Sequence, residues 1–279
     1  MGPGALTQLA DEVRALNANK VLIVTDQGLI EAGLVKKAED LLQKADIKYA
    51  VFKDVEADPR YEIVDDCVAM IRNEKADLIV GIGGGSPIDI AKVSAVMATN
   101  KGPISEYFGI DLVPDPGLPT LIIPTTAGTG SEVTPIAILS DHTEKLKKGI
   151  VSQYLFPSAA LLDPELTIGL PAHVTAATGM DALIHAVEAF TSKNATSITD
   201  MLARQAMQLI AKNLRTAYAD GSNLTARSNM LEGSLLAGMA FCNAGVTAVH
   251  AFAYPIGAEF HIPHGVANSI MLTPVMEFN

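Results

Sequence analysis

The chain has 279 residues, 49% of them apolar, and a formal net charge of −11. That length accommodates two domains with a sizeable core. The acidic balance, with no Lys/Arg block to offset it locally, argues against nucleic acid or an anionic membrane surface as a partner.

Cys67 and Cys242 are too few for a disulfide framework and read as reduced thiols. The opening residues, MGPGALTQLADEVRAL, show no basic-then-apolar leader, so a cytoplasmic location is expected. Residues 20–25 (KVLIVT) predict a strand and 29–45 a helix. Strands at 47–52 and 77–83 and helices at 62–75 and 86–99 continue the alternation, with Pro87 suited to a first helical turn. Such alternation implies parallel strands joined by right-handed crossovers. The unbroken apolar character of the strands implies a sheet covered on both faces. A Pro/Gly-rich connection at 112–132 contains a further strand at 118–124, and another is expected at 160–163. From Ala172 onward the signals are nearly all helical. The predicted organisation is therefore an α/β domain over 1–168, Rossmann-like with a mostly parallel sheet, then an all-helical domain over 169–279. The most membrane-like stretch, 235–260, is interrupted by Asn243, His250, Pro255 and Glu259. No run of about 20 apolar residues results, so buried core helices are expected there and no membrane partner.

Two glycine-rich loops stand at the ends of predicted strands. GIGGGSPID (81–89) opens a helix, where backbone N–H groups and the helix dipole can take a phosphate. Ser86 can cap that helix or donate to a phosphate oxygen. The loop is neither a G-x-G-x-x-G fingerprint nor a Walker A loop, and a tight turn needing glycine for packing is the alternative. PTTAGTGSEVT (124–134) can wrap a base or ribose, or be a plain polar loop. Asp26 ends the first strand. It can accept from ribose hydroxyls and repel a 2′-phosphate, favouring NAD, or simply cap the next helix.

GMDALIHAVEAF (179–190) places Asp181 and His185 four residues apart, on the apolar face of one helix. An isolated buried carboxylate is costly, so the pair is either exposed, satisfied by neighbours, or compensated by something positive. VHAFAYPIGAEFHIPHG (249–265) adds His250, His261 and His264 on a segment that Pro255, Gly257 and Pro263 are expected to break. One carboxylate with imidazoles is a donor set for a divalent transition metal. Taken one at a time, each histidine also reads as a satisfied core or surface residue, and His142 and His173 carry no role.

With GGGSPIDIAK, PTTAGTGSEVT, GMDALIHAVEAF and HAFAYPIGAEFHIPHG in this order, the chain resembles the iron-containing, or group III, alcohol dehydrogenases. The resemblance implies metal ligands at Asp181, His185, His250 and His264, with Fe²⁺ as the metal and Zn²⁺ as the alternative. It implies pyrophosphate contacts at Gly83, Gly84, Gly85 and Ser86, with Asp89 of the same motif on the cofactor side. Thr125, Thr126 and Thr129 would line the adenosine side, Lys147 would lie near the cofactor, and Asp26 would select NAD. The implied activity is hydride transfer between NAD(H) and a small primary alcohol or aldehyde, in a chain able to form a homodimer. Tyr254 stands where many members have a histidine near the nicotinamide. A phenol, with an unperturbed pKa of about 10, still relays a proton, so Tyr254 and His264 are the expected catalytic residues. His261 sits where family members vary and is expected to be a bystander, with contact to substrate or water as the alternative. Relative to the family pattern, the first β segment and the last helices are expected to be missing. Two other readings stay open. One is a dehydroquinate synthase-like cyclase, against which the lack of Lys or Arg in 249–265 counts. The other is a truncated, non-catalytic nucleotide-binding protein.

Overall fold

The computed structural model describes every residue except Lys145 and His261, and leaves the Ala258 side chain undescribed. The sequence expectation about His261 therefore lies outside the described residues. Two compact units are present. One comprises Met1–Thr125, Pro135–His142 and Lys148–Asp163, and the other Thr126–Thr134, Thr143–Lys147 and Pro164–Asn279.

The chain begins with α1 (Leu9–Ala15), β1 (Lys20–Val24), α2 (Gln27–Glu31), α3 (Leu34–Lys44), β2 (Lys48–Phe52), α4 (Ile63–Glu74), β3 (Leu78–Gly83) and α5 (Gly85–Met97). It continues through β4 (Gly109–Ile110), β5 (Thr120–Pro124), β6 (Ile136–Asp141), β7 (Leu146–Val151) and β8 (Ala159–Ala160). Five strands form a sheet in the order β2-β1-β3-β5-β8, and every neighbouring pair is parallel. A small second sheet orders β4-β7-β6. The apolar runs seen in the sequence are the reason for the central strands: all of β3 and β5, and β1 from Val21 onward, are buried. α5 lies close over β3 because position 81 is glycine. A Cβ there would come within 2.9 Å of the Ala91 Cβ. The Cys67 thiol lies in this core, where burial pushes its pKa up to about 12 against a hydrogen bond with Ser94, which makes it inert. Cys67 is a buried thiol and Cys242 a half-buried one.

Three sequence expectations are revised here. The single helix at 29–45 is two, because Gly33 adopts φ +72° between α2 and α3. The strand at 160–163 is reduced to β8, and Asp163 instead accepts from Gly4 N and Leu6 N at 3.1 and 3.0 Å, anchoring the N-terminal segment. β6 and β7 form strands in a stretch where no helix–strand alternation marked them.

The second unit contains α6 (Ala172–Thr191), α7 (Ser197–Ala219), α8 (Leu224–Ala244), α9 (Ala248–Phe260) and α10 (His264–Phe278). A capping box at Thr196 and Thr199 starts α7, and the Asn223 side chain caps α8 at Ala226 N, 3.0 Å away. Buried Arg227 of α8 ties to α6 through Thr175 Oγ1 at 2.8 Å. Ile184, Val249 and Val275 form a small buried cluster joining α6, α9 and α10. Pro255, expected to break its segment, stands inside α9. A helix loses one backbone bond to such a proline without having to end, and the break falls beyond Phe260 instead. Among the described residues no single helix is long and apolar enough to cross a membrane, and the α8–α9 pair bends by 105°.

Candidate functional site

In the first unit, the C-terminal ends of β1, β3 and β5 lie side by side. The strand order reverses between β1 and β3, the position where open α/β sheets bind ligands. Gly83 closes β3 with φ +155°, and a Cβ there would come within 2.5 Å of Pro87 Cγ, so only glycine fits. Gly84 is the N-cap of α5 and makes no side-chain capping bond. The helix start therefore presents backbone N–H groups, and Ser86 lies inside the helix instead of capping it. Thr125 N donates to Gly83 O at 2.9 Å, which holds the start of the second glycine-rich loop against the first. Asp26 is the N-cap of α2, its Oδ1 accepting from Leu29 N at 2.9 Å. Asp89 Oδ2 accepts from Ile138 N at 2.9 Å, tying α5 to β6. Both carboxylates thus have a structural role alongside the cofactor role expected of them. Thr126, Thr129 and Lys147 belong to the second unit, where Thr129 Oγ1 accepts from Ser131 N at 3.3 Å.

The second unit brings three of the four expected ligands to a point. Asp181, His250 and His264, from α6, α9 and α10, each offer a ligating atom, and these atoms lie within 4.8 Å of one another. Asp181 Oδ1 is 3.6 Å from His250 Nε2 and 3.7 Å from His264 Nε2. His185 lies beside this trio, its ring stacked on those of Phe241 and His250 at centroid distances of 4.3 and 4.5 Å. Its Nδ1 is 3.3 Å from Gly128 O, so the N–H on that side donates to the carbonyl and Nε2 keeps its lone pair. Tyr254 stacks on the His264 ring with centroids 5.3 Å apart.

Electrostatics explain how an apolar helix carries these groups. Burial works against charge on Asp181, but His185, His250 and His264 outweigh it and hold the carboxyl below the usual carboxylate range. Burial dominates at His185 and takes its pKa down to about 4, so the ring is neutral at pH 7. Burial also opposes charge on His250, yet Asp181 and Glu188 prevail and lift it to about 9. The donor set, one carboxylate oxygen and imidazole nitrogens, fits a divalent transition cation in place of the proton. Because coordination at Nε2 must displace that proton, cation affinity is expected to rise about tenfold per pH unit toward pH 9 and flatten above it. Competition with a chromophoric chelator across that range measures the slope.

Two residues here escaped the sequence reading. Glu188, 1% exposed, bonds His250 Nδ1 through Oε2. Its Oε1 accepts from Thr247 Oγ1, Thr247 N and Val249 N at 2.6, 3.1 and 2.7 Å. One carboxylate thus fixes both the start of α9 and the tautomer of His250, a familiar carboxylate–histidine support for a metal ligand. Its spacing of three residues from His185 on α6 was the available signal. In Glu188→Gln the amide oxygen can keep the backbone bonds, but the NH₂ would donate to Nδ1, so the neutral ring that a cation requires would carry its one proton on Nε2, the ligating nitrogen. Cation affinity is expected to fall about 10–100-fold with little change in far-UV circular dichroism. Asn268, fully buried and four residues beyond His264, is the second: its Nδ2 donates to Asp181 Oδ1 at 2.6 Å and lies 3.1 Å from Nε2 of both His250 and His264.

Residues 1–164 match the family model described as iron-containing alcohol dehydrogenase, and 175–279 match that of the C-terminal part of the Fe-containing alcohol dehydrogenase family. The chain is 44% identical over 278 residues to sulfoacetaldehyde reductase of Bilophila wadsworthia (strain 3_1_6), covering 100% of this chain and 72% of that protein. It is 47% identical over 280 residues to 1,3-propanediol dehydrogenase of Klebsiella pneumoniae, with the same coverages of 100% and 72%. The crystal structure of sulfoacetaldehyde reductase from Bifidobacterium kashiwanohense in complex with NAD⁺ superposes with a TM-score of 0.94 at 36% identity, over 100% of this chain and 74% of that one.

Proposed function

This chain belongs to the iron-containing alcohol dehydrogenase family, and from that membership we propose an NAD-dependent, metal-containing oxidoreductase acting between a small primary alcohol and its aldehyde. The observation that carries the reading is the convergence of Asp181, His250 and His264 from three helices, on a buried carboxylate whose ion pairs among the described residues are with histidine alone. We assign these three with His185 to the metal, Fe²⁺ by family and Zn²⁺ by general affinity order. When bound, the cation supplies Lewis-acid polarisation of the substrate oxygen and NAD supplies the hydride acceptor.

The chain's own residues do the positioning. Asp181 contributes the negative charge, and Glu188 keeps the His250 proton on Nδ1. His185 is held by Gly128 O with its Nε2 lone pair available. Tyr254, stacked on His264, is assigned to proton movement at its phenol oxygen. In the nucleotide-binding domain, 1–168, Gly83, Gly84, Gly85 and Ser86 are assigned to the pyrophosphate at the α5 start, with Asp89 supporting that helix. Thr125, Thr126 and Thr129 are assigned to the adenosine side and Lys147 to the cofactor. The Asp26 oxygen that does not cap α2 is assigned to the ribose. The metal-binding domain is 169–279. A cytoplasmic homodimer completes the proposal.

The test is NAD⁺ reduction by the purified chain loaded with Fe²⁺ or Zn²⁺, over a panel of primary alcohols and diols. Metal-dependent turnover supports the reading. Nucleotide binding without turnover on any of them overturns it in favour of a non-catalytic nucleotide-binding protein.

A further inference from the structure

The side chain of Asn268 is fully buried, its Oδ1 has no hydrogen-bond partner, and its Nδ2 is within 3.1 Å of all three atoms of the trio. This is an unusual way to use an asparagine. Buried amides ordinarily satisfy both ends, and here one end is left unpaired while the other faces the trio. An NH₂ group has two hydrogens, which match two acceptors, Asp181 Oδ1 and His264 Nε2, while His250 Nε2 lies beside it at 3.1 Å. The lone pairs it addresses are the ones a cation would use. Asn268 is also four residues from His264 on α10, so the same helix turn that presents a ligand presents this amide.

We propose that Asn268 is an internal stand-in for the cation. Its amide hydrogens hold Asp181 and His264 in place in the metal-free protein, and they are displaced when metal takes those lone pairs. The proposal rests on the metal-centre reading above. Asn268 acts on the ligands and is a positioning residue, not a catalytic one. Its consequence is asymmetric: the bond to Asp181 stabilises the metal-free form and competes with loading.

The test compares thermal unfolding of the intact chain with and without Zn²⁺, and Zn²⁺ affinity by chelator competition, for wild type, Asn268→Ala and Asn268→Ser. Removing a donor from a buried carboxylate is expected to lower the Tm of metal-free Asn268→Ala by about 4 °C. The loaded form should lose less than about 2 °C, so Zn²⁺ affinity tightens about tenfold. Asn268→Ser, which retains a short donor, should fall between and provides the comparison if the alanine variant does not fold. Equal loss in both states, or weaker Zn²⁺ binding in the variants, overturns the stand-in role while leaving the metal centre intact. A wild type that gains no stability from Zn²⁺ or Fe²⁺ overturns the metal-centre reading itself, and this inference with it.

Discussion

Asp181→Ala is expected to abolish metal-dependent NAD⁺ reduction, with cation affinity reduced at least about 100-fold. Its Oδ1 is the only anionic atom in the trio, flanked by the two ring nitrogens at 3.6 and 3.7 Å. Groups that only hydrogen-bond to a metal ligand are worth about 10–100-fold in metal affinity, and losing the anionic ligand itself should cost no less. Two companion measurements make the result specific. The Tm of the variant should no longer respond to added Zn²⁺. Nucleotide binding should persist, because Asp26, the Gly83–Ser86 turn and Thr125 belong to the other compact unit. Metal content of the purified variant near zero, against about one ion per wild-type chain, is the direct readout. A variant that retains stoichiometric metal would remove the chemistry from this site.

Gly265→Ala should be the most damaging single methyl in the helical unit. By helix propensity alone, alanine for glycine in a helix is favourable by about 1 kcal/mol. Here the sign reverses. A Cβ at position 265 would lie 2.1 Å from Ala177 O and 2.7 Å from Ala177 C, both backbone atoms of α6 that cannot rotate away. α10 must therefore move off α6, at a cost of about 1–3 kcal/mol or more. Because α10 carries His264 and Asn268 while α6 carries Asp181, that movement pulls the trio apart. Misplacement of about 1 Å at a reacting centre can cost about 100-fold in rate. Activity and Zn²⁺ affinity should thus fall together, with Tm lowered, whereas a variant as stable and as tight as wild type would show that α10 can shift without disturbing the site.

Some of this architecture was legible in the residues alone. The β-branched, uninterrupted runs at β1, β3 and β5 specify strands buried on both faces, because such surfaces have nowhere else to go than a covered parallel sheet. The glycine-rich turn after β3 was legible as a strand-to-helix junction, and the structure adds why Gly83 is there: its backbone conformation and the approach of Pro87 admit only glycine. The pairing of Asp181 with His185 was visible as a helical spacing. These are local properties, carried by a few consecutive residues, and they do not depend on where the rest of the chain goes.

What brings α6, α9 and α10 together is not local. Whether His250 and His264 meet Asp181 depends on packing around Ile184, Val249 and Val275 and on the glycine contact between α10 and α6. Glu188 and Asn268 read in sequence as an ordinary helical acid and an ordinary amide. Only burial turned them into the support of His250 and the bridge between the ligands, since their worth lies in excluding water from charged groups that distant segments supply. The roles of Asp26 and Asp89 were likewise decided in three dimensions: each carboxylate has a backbone N–H to hold, from a helix start in one case and from β6 in the other. The sequence by itself determined the main parallel strands, the helical second half and the residue types that carry the chemistry, but not β6, β7 or the break between α2 and α3. Tertiary packing decided which side chains share a point in space, because a metal centre is defined by distances between residues far apart along the chain.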